Sequence, residues 1–401
     1  MIIRNHYLNK LMSYKDIPLI KVLIGIRKCG KTTILQQYIS LLKEENKESI
    51  IIFINLNDFY TSSKIYDLAS LNQYIAKHYD ENKKNYLFIE EIQEIKDFQI
   101  IINSWCDKQN MDVYITGSNS KLLSSELSTL ITGKNMVIKV YPLAFSELCD
   151  KNIPWEEKKK IFSDFLKYGG MPGRLAFNGE SEIYSYLNMI YCDIVQKEIL
   201  SRHTVASVVE LSGIYKFICE NSGKEISYKN VWEILKTNKS TLSQTTVAKY
   251  VELLTISFLL QKINKFKLFN SIILENSCKY YPQDTGMKNA IFKDFTHSKR
   301  KLLESIVFNE LKYRGYEVFI GTSRTISEID FVAKNNSETL YFQVSEILTE
   351  DNIEREITPL LKIKDSNPKI VLSLEELESK DKDGIKYRNL IKWLLSDEID
   401  A

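Results

Sequence analysis

The chain has 401 residues, enough for roughly two to four domains of ordinary size, each with its own core. Hydrophobic residues make up 44% and charged residues 26%, so the composition excludes an intrinsically disordered or fibrous protein. The 54 basic and 52 acidic residues leave a formal net charge of +2, and this near balance gives no global attraction to nucleic acid or to a membrane surface.

Six cysteines occur in the chain, with neither the CxxC spacing of metal sites nor the framework of disulfide-rich secreted domains. They are Cys29, Cys106, Cys149, Cys192, Cys219 and Cys278. The N-terminus has no apolar signal core, and no apolar run approaches the roughly 18 residues that cross a bilayer. We therefore expect reduced thiols, a cytoplasmic location and no membrane partner.

Short apolar runs alternate with helical patterns in the first third of the chain. Short runs with at most one charge are typical of strands buried on both faces, as in parallel sheets. They occupy residues 20–24, 50–54, 86–89, 113–116 and 136–140, and helical stretches include residues 32–43 and 71–78. The alternation predicts an α/β fold whose parallel sheet is sandwiched by helices, and we place this core at residues 1–150.

The rest of the chain divides into three predicted parts. Residues 151–210 have helical spacing, broken at the glycine-rich stretch 168–173, and predict a helical lid or connector. Residues 211–285 predict short helices followed by a strand pair, the pattern of a winged helix. Residues 286–401 predict a helix over 302–312 followed by strands, and so a small C-terminal α/β domain.

Residues 25–32 read GIRKCGKT, which matches the phosphate-binding pattern GxxxxGK[ST] between a predicted strand and a predicted helix. The glycines let successive N–H groups face the phosphates of a nucleoside triphosphate, and the helix N-terminus adds partial positive charge. We expect Lys31 to contact the β- and γ-phosphates and Thr32 to bind Mg²⁺. The predicted nucleotide-binding residues are Gly25, Arg27, Lys28, Cys29, Gly30, Lys31, Thr32 and Thr33.

Two carboxylates, Glu90 and Glu91, follow the apolar run that ends at residue 89. In a phosphate-loop site, an acidic residue at the end of a neighbouring buried strand lies near the metal. Glu90 is predicted to hold Mg²⁺ through water, although such loops usually carry the shorter Asp there. Glu91 is predicted to be the general base that acts with Lys31 in catalysis. The alternative is a strand that leaves the core into a charged loop.

A further strand ends in the sequence TGSN at residues 116–119. If this strand neighbours the other two, Ser118 or Asn119 lies beside the γ-phosphate and acts as a sensor. The alternative is that these side chains cap a helix that starts near residue 121, and the two roles are compatible.

Nine segments together carry a family resemblance. They are residues 4–8, GIRKCGKT at 25–32, FIEEIQ at 88–93, YITGSN at 114–119, YPLAFSE at 141–147, YGGMP at 168–172, YPQDTG at 281–286, EIDFV at 328–332 and YFQV at 341–344. The ordered set resembles the bacterial and archaeal AAA-type P-loop ATPases whose C-terminal region holds a winged helix and a restriction-endonuclease-like, PD-(D/E)xK-type domain. The resemblance covers nearly the whole chain and implies ATP binding with Mg²⁺ and ATP hydrolysis.

The family commonly has Gly-Arg before the YPL segment, where this chain has Gly133-Lys134. The resemblance therefore makes Lys134 a sensor candidate, with a charge but without the bidentate geometry of arginine. Arg174 and Arg202 are further candidates for an arginine that acts on the phosphates, and a surface or structural role is the alternative for each. Because related ATPases often form rings through such an arginine, a homo-oligomer of unspecified size is an expected assembly.

Residues 239–250 resemble the second half of a helix-turn-helix, with Ser243 as the N-cap of a recognition-type helix. Gln244, Thr245, Thr246 and Lys249 are residue types that contact phosphates and base edges. DNA is therefore a candidate partner, and the alternative is a winged helix that serves only as a packing or lid module.

Glu304, Asp330 and Gln343 stand in the order of a nuclease metal site, with one acidic residue on a helix, one on a strand and a third ligand on the next strand. The lysine expected two residues after the third ligand is replaced by Ser345, so the group that would activate water is absent. The sequence therefore predicts a vestigial, inactive nuclease site.

The leading functional hypothesis is Mg²⁺-dependent ATP hydrolysis coupled to a conformational change that acts on DNA or on a protein partner. One alternative is a nucleotide-dependent switch or scaffold that turns over slowly. A second alternative is a metal-dependent DNA nuclease that ATP regulates.

Overall fold

The computed structural model describes residues 2–120, 134–237, 240–268, 272–292, 299–323, 328–375 and 380–399. The chain divides into two compact units. The first comprises Met1–Tyr141 with Ile256–Phe258, and the second comprises Pro142–Thr255 with Leu259–Ala401. The finer division into four domains stays a prediction.

The first unit is built on a five-stranded parallel sheet of order β2-β3-β4-β1-β5. Its strands are β1 (Ile20–Ile24), β2 (Ile50–Asn55), β3 (Asn85–Glu90), β4 (Met111–Gly117) and β5 (Asn135–Lys139). Its helices are α1 (Asn5–Ser13), α2 (Lys31–Glu45), α3 (Phe59–Ser62), α4 (Leu68–His78) and α5 (Gln99–Cys106). The predicted α/β class is confirmed.

Strands β1, β3 and β4 are buried along their whole length, as their apolar runs predict. Helices α4 and α5 contribute to the apolar core on one face of the sheet through side chains such as Leu71, Ile75 and Ile102. Because the strands are parallel, the loops that follow β1, β3 and β4 meet at one edge of the sheet.

The central strands also contain a buried ion pair that the sequence analysis did not predict. The Lys21 ammonium on β1 contacts Asp112 on β4, and the side chains of both residues are almost completely buried. The second oxygen of Asp112 accepts hydrogen bonds from the Tyr114 hydroxyl at 2.8 Å and from the backbone N–H of Asp16 at 2.9 Å. The two charges are thus paired and hydrogen-bonded, the condition for tolerating charge in a core.

The second unit contains an eight-stranded mixed sheet of order β12-β13-β11-β10-β9-β8-β6-β7. Its strands are β6 (Leu260–Lys267), β7 (Ile272–Pro282), β8 (Glu317–Thr322), β9 (Ile329–Lys334), β10 (Thr339–Val344), β11 (Lys369–Ser373), β12 (Lys380–Lys382) and β13 (Ile385–Asn389). Strand β6 pairs with β7 antiparallel and with β8 in parallel, so one sheet joins the predicted wing to the predicted C-terminal domain.

Ten α-helices occur among the described residues of the second unit. They are α6 (Phe145–Leu148), α7 (Trp155–Tyr168), α8 (Glu180–Ile194), α9 (Val208–Glu220), α10 (Tyr228–Thr237), α11 (Gln244–Ile256), α12 (Thr285–Phe292), α13 (Lys299–Tyr313), α14 (Glu350–Leu361) and α15 (Leu390–Leu395). Three helices, α9 to α11, precede the β6–β7 hairpin, as the sequence predicts, and the assignment of this segment as a winged helix stays a prediction. Phe145 and Phe162 belong to the same apolar core as Leu303 and Trp393, so part of the predicted connector packs on the C-terminal sheet.

No helix in the described ranges has both the length and the apolar character needed to cross a membrane.

Candidate nucleotide-binding site

The loop between β1 and α2 has the backbone that a phosphate-binding loop requires. Gly30 has φ 104° and Lys28 has φ 67°, so the chain turns through left-handed conformations immediately before α2 begins at Lys31. A Cβ on Gly25 would lie 2.1 Å from the carbonyl oxygen of Val140, so only glycine fits at the exit of β1. The loop therefore closes on the N-terminus of a 15-residue helix, where N–H groups and the helix dipole attract an anion.

Lys31 is buried inside this loop. Its ammonium donates hydrogen bonds to the carbonyl oxygens of Gly25 at 2.8 Å and Ile26 at 3.3 Å. It also lies 3.9 Å from Oε1 of Glu91, at the outer limit of an ion pair. The structure thus brings together the loop, its lysine and the predicted base.

The remaining predicted nucleotide-binding residues line the same loop. Thr32 is exposed, Thr33 is half-buried, and both belong to the first turn of α2. Arg27 is half-buried and Lys28 is exposed. Cys29 is buried, donates its thiol to the Val140 carbonyl at 3.5 Å and has a pKa that burial raises, so this thiol is not a reactive nucleophile.

Glu90 ends strand β3 opposite Asn55 of β2 and is buried. Burial raises the pKa of its carboxyl, the neighbouring Glu91 adds to that rise, and a hydrogen bond with Thr32 opposes it. Oε1 of Glu90 is buried and has no hydrogen-bond partner among the described residues. An unsatisfied buried carboxylate oxygen beside the predicted Mg²⁺ ligand Thr32 suits a hard cation or its bound water.

Glu91 occupies a left-handed backbone conformation, with φ 54° and ψ 48°, that non-glycine residues rarely adopt. Its N–H donates to the Thr116 hydroxyl at 3.2 Å, and its Oε2 accepts hydrogen bonds from the Ser118 hydroxyl at 2.7 Å and from the Gln93 amide at 2.5 Å. Burial alone would raise the pKa of Glu91, but the Lys31 ammonium, followed by the Ser118 and Gln93 hydrogen bonds, lowers it below the ordinary value. Glu91 is therefore ionised at neutral pH and is fixed in orientation.

Thr32 and Glu90 fit a Mg²⁺ ion if water or phosphate oxygens complete the coordination of the metal. Within the described part of the chain, no three His, Cys, Asp or Glu side chains converge as a metal-binding group. Mg²⁺ usually takes one or two protein oxygens, keeps several waters and binds substrate phosphates, which agrees with one threonine hydroxyl and one carboxylate at this edge.

Two of the five sensor candidates lie at this edge. Ser118 and Asn119 follow β4 and are both buried, and Ser118 contacts Glu91 directly. The helix that these residues were expected to cap falls outside the described residues.

Lys134 does not join the site. It precedes β5 beside the start of β1, since its carbonyl accepts a hydrogen bond from the N–H of Ile20. This is the amino edge of the sheet, one five-residue strand or roughly 16 Å from the loop. There its exposed ammonium pairs with Asp107 at 2.6 Å. The position offers no contact with a phosphate bound at residues 25–33.

Arg174 and Arg202 belong to the second unit, where Arg174 contacts a backbone carbonyl and Arg202 an acidic side chain. Arg174 is buried and donates to the carbonyl of Gly169 at 2.6 Å. Gly169 needs its φ of 67°, and a Cβ there would lie 2.3 Å from an oxygen of Asp284. Arg202 lies 3.6 Å from the buried carboxylate of Glu198. The contacts of Arg174 stabilise a tight turn, which is the structural role left open for it.

The structure brings the three predicted nuclease-site residues together. Gln343 accepts a hydrogen bond from the N–H of Asp330 at 2.6 Å, and Oδ2 of Asp330 accepts one from Val344 at 2.9 Å. Burial, followed by the charge of Glu304, raises the pKa of Asp330 to about 8.

An arginine that the sequence analysis did not single out lies among these acids. The Arg300 guanidinium is 3.2 Å from Glu304, 3.6 Å from Asp330, and 2.6 Å and 3.1 Å from the two oxygens of Glu356. The cluster of Arg300, Glu304, Asp330 and Glu356 is called the arginine cluster below. The cation at this cluster therefore belongs to the chain itself.

The predicted recognition-type helix corresponds to α11. The Ser243 hydroxyl accepts a hydrogen bond from the N–H of Thr246 at 3.1 Å, so the predicted N-cap is confirmed. Gln244, Thr245 and Lys249 are exposed, and the Lys249 ammonium contacts the Thr204 carbonyl at 3.3 Å.

Sequence reasoning missed two residues that shape the nucleotide site. Gln93 contacts Glu91, and its place in the segment 88–93 of the family resemblance was a signal that did not indicate this contact. Arg4 is buried and donates to the carbonyl oxygens of Cys29 and Tyr141, each at 3.1 Å. Its position before the core was part of the family resemblance, but nothing in the linear sequence connects it to the loop.

Comparison with known proteins supports this description. Residues 18–149 match the AAA domain, and residues 159–298 match a domain of unknown function, DUF8612. An uncharacterized protein of Haemophilus influenzae is 34% identical over 98% of this chain and 99% of its own length. An uncharacterized protein of Methanocaldococcus jannaschii is 29% identical over 97% of this chain and 91% of its own length.

Two solved structures are similar at low sequence identity. The Walker-type ATPase of Pyrococcus abyssi superposes with a TM-score of 0.45 and 14% identity, over 73% of this chain and 96% of that one. PCH-2 of Caenorhabditis elegans superposes with a TM-score of 0.32 and 14% identity, over 49% of this chain and 65% of that one. Since the match to the Haemophilus influenzae protein spans nearly the whole of both chains and residues 18–149 fit the AAA domain, this chain belongs to the family of AAA-type P-loop ATPases.

Proposed function

We propose that this protein binds ATP with Mg²⁺ at residues 25–33 and hydrolyses it with Glu91 as the general base. The observation that carries the proposal is the arrangement at the carboxyl edge of the first sheet. There the buried carboxylate of Glu91 lies 3.9 Å from the Lys31 ammonium, in a strained backbone conformation. Such strain costs about 1–3 kcal/mol and is concentrated at functional sites.

Each residue has a defined role in this mechanism. The N–H groups of the loop and the N-terminus of α2 hold the phosphates, and Lys31 moves from its carbonyl contacts to the β- and γ-phosphates. Thr32, and Glu90 through a bound water, would hold the Mg²⁺ ion, which would neutralise charge at the phosphates. Glu91 Oε1 accepts a proton from the attacking water, because Oε2 is already occupied by two donors.

We further propose that hydrolysis is coupled to a conformational change that acts on DNA or on a protein partner, in a homo-oligomer in the cytoplasm. The exposed polar residues of α11 favour DNA as the first partner to test. The slow switch or scaffold remains the alternative, because Glu90 replaces the shorter Asp. The nuclease alternative has less support, because Arg300 of the chain itself contacts all three acids of the arginine cluster and Ser345 replaces the expected lysine.

The test is ATP hydrolysis by the wild type, Lys31→Ala and Glu91→Gln, each with and without single-stranded, duplex and branched DNA. Lys83→Ala is the matched lysine control, because Lys83 is an exposed surface lysine that pairs with Glu48 at 3.2 Å. We expect hydrolysis to be lost in the first two variants and retained in the control. Stimulation by DNA would identify a DNA-dependent ATPase, and indifference to DNA would direct the search to protein partners. A wild-type rate no faster than that of Glu91→Gln would overturn hydrolysis and leave the switch.

A further inference from the structure

The side chain of Gln93 lies at the nucleotide site, although the sequence analysis assigned it no role there. Gln93 lies in a short 3₁₀ helix, Ile92–Glu94, immediately after Glu91. Its Nε2 donates to Glu91 Oε2 and, at 3.4 Å, to the Ser118 hydroxyl. Its Oε1 is buried and has no hydrogen-bond partner among the described residues.

The contacts divide the two oxygens of Glu91 into different roles. Oε2 accepts hydrogen bonds from Ser118 and from Gln93, so its acceptor capacity is used. Oε1 faces the Lys31 ammonium at 3.9 Å, beyond hydrogen-bond distance. The oxygen that is free to accept a proton from water is therefore Oε1, on the side of the carboxylate that faces the phosphate loop.

The unsatisfied oxygen of Gln93 has a specific cost. Leaving a buried acceptor without a donor costs about 1–3 kcal/mol, and such groups in native proteins call for an explanation. An attacking water has two hydrogens. A general base accepts only one of them, so a second acceptor is needed to fix the direction of the water lone pair toward phosphorus.

We propose that Gln93 orients the attacking water, holding Glu91 in place through Nε2 while its Oε1 accepts the second hydrogen of that water. The inference rests on the proposed ATP hydrolysis and adds a second catalytic side chain to it. The proton balance is simple. The water gives one proton to Glu91 Oε1 and its oxygen forms the new bond to the γ-phosphorus. The bond between that phosphorus and the β,γ-bridging oxygen breaks, and ADP leaves with its electron pair. The hydrogen held by Gln93 stays on the product phosphate.

The amide is required for both contacts. In Gln93→Leu the chain keeps a similar volume and loses the donor and the acceptor together. In Gln93→Glu it keeps an oxygen for the water but loses the donor and places a second negative charge beside Glu91. Only an amide of this length supplies both the donor and the acceptor. Both variants should therefore hydrolyse ATP more slowly than the wild type.

The matched controls lie on either side of Gln93. Glu94→Gln changes an exposed residue of the same 3₁₀ helix and should leave hydrolysis unchanged. Ser118→Ala removes the other donor to Glu91 Oε2 but does not remove an acceptor for water. It therefore separates the cost of loosening Glu91 from the cost of losing water orientation.

The experiment measures kcat, KM and the affinity for a fluorescent ATP analogue in the wild type and these variants. We expect kcat to fall about 10- to 100-fold in Gln93→Leu and Gln93→Glu, and several-fold less in Ser118→Ala. Analogue affinity and thermal unfolding should stay within about threefold and a few degrees of the wild type. We also expect Gln93→Leu to add little to Glu91→Gln in the double variant, because both act on one water.

Two outcomes would overturn the role of Gln93. One is a wild-type kcat in Gln93→Leu. The other is a loss of kcat accompanied by an equal loss of nucleotide affinity and thermal stability, which would show a merely structural residue. In both cases a wild type that hydrolyses ATP in a Lys31-dependent way leaves the proposed function standing. No hydrolysis by the wild type would overturn both proposals.

Discussion

Each of the two units contains buried carboxylates next to a cationic side chain. The units differ in how closely that cation contacts the carboxylates. In the first unit the Lys31 ammonium stands 3.9 Å from Glu91, and its shorter contacts are to two carbonyls of its own loop. Oε1 of Glu90 and Oε1 of Gln93 have no hydrogen-bond partner among the described residues. The nucleotide site therefore contains buried acceptor atoms that receive no hydrogen bond from the described residues.

In the second unit, carboxylate oxygens of the arginine cluster accept contacts from other groups of the protein. The Arg300 guanidinium reaches three carboxylates, and its contact with Glu356 is bidentate, at 2.6 Å and 3.1 Å. Both oxygens of Glu356 and Oδ2 of Asp330 therefore have protein partners. The comparison shows that acidic residues in motif order can be engaged by a cation of the chain itself, as Arg300 engages these three.

The largest effect should come from removing that internal cation. Arg300→Ala leaves Glu304, Asp330 and Glu356 buried without their shared partner, and breaking a buried ion pair in this way costs about 3–5 kcal/mol. Urea denaturation of the full chain, followed by hydrogen exchange in β9, measures the loss. Arg355→Ala is the control, because Arg355 contacts the same Glu356 with a side chain that is 72% exposed and should cost at most about 1 kcal/mol. Equal effects of the two substitutions would mean that the arginine cluster is not a buried ion network.

The second prediction concerns catalysis in the first unit. Glu91→Gln keeps the shape of the side chain and removes the base, so kcat should fall about 10²- to 10³-fold, equivalent to about 2.7–4.1 kcal/mol. ATP affinity should be retained, because the phosphates are held by the loop and Lys31. The measurement is multiple-turnover phosphate release together with binding of an ATP analogue. Equal losses of affinity and kcat would place Glu91 in phosphate binding instead of proton transfer.

A third prediction tests whether the free acceptor of Glu90 is a metal site. ATP with Mg²⁺ at 100 times its Kd should stabilise the first unit by about 2.7 kcal/mol, seen as slower hydrogen exchange in β1. Replacing Mg²⁺ with EDTA should reduce the protection in the wild type but have less effect in Glu90→Gln. Lys31→Ala should show no protection under either condition. Protection that responds to Mg²⁺ equally in Glu90→Gln and in the wild type would remove Glu90 from the metal site.

The sequence predicts the fold of the first unit well because its signals are local. Strands β1 and β3 are short, mainly apolar runs, and the glycine pattern of the loop depends on consecutive residues. Glu91 is likewise adjacent to its strand. The edge where these segments meet follows from parallel pairing alone.

The remaining features depend on contacts between residues far apart in the chain. Lys21 contacts Asp112, which is 91 positions away in the sequence, and Arg300 contacts Glu356, which is 56 positions away. A lysine inside an apolar run gives no sign of its partner, and an arginine near the start of a helix is usually at the surface. For the same reason the sequence could not show that the predicted wing and the C-terminal strands form one sheet, which depends on β6 pairing with β8.

The smallest expected effect concerns Lys134, which the family resemblance proposes as a sensor. At the amino edge of the sheet its exposed ammonium pairs with Asp107, and no phosphate held at the carboxyl edge lies within its reach. Lys134→Ala should therefore leave kcat and KM within about twofold of the wild type, because exposed ion pairs contribute little to stability and this one is remote from the reaction. The informative measurement is ATP hydrolysis as a function of protein concentration, since a lysine that reaches a neighbouring copy acts only in the assembly. If the variant lost activity only at concentrations where the wild type self-associates, Lys134 would act on the site of a second subunit. Equal activity at every concentration would confine the catalytic groups of the first unit to the carboxyl edge of its sheet.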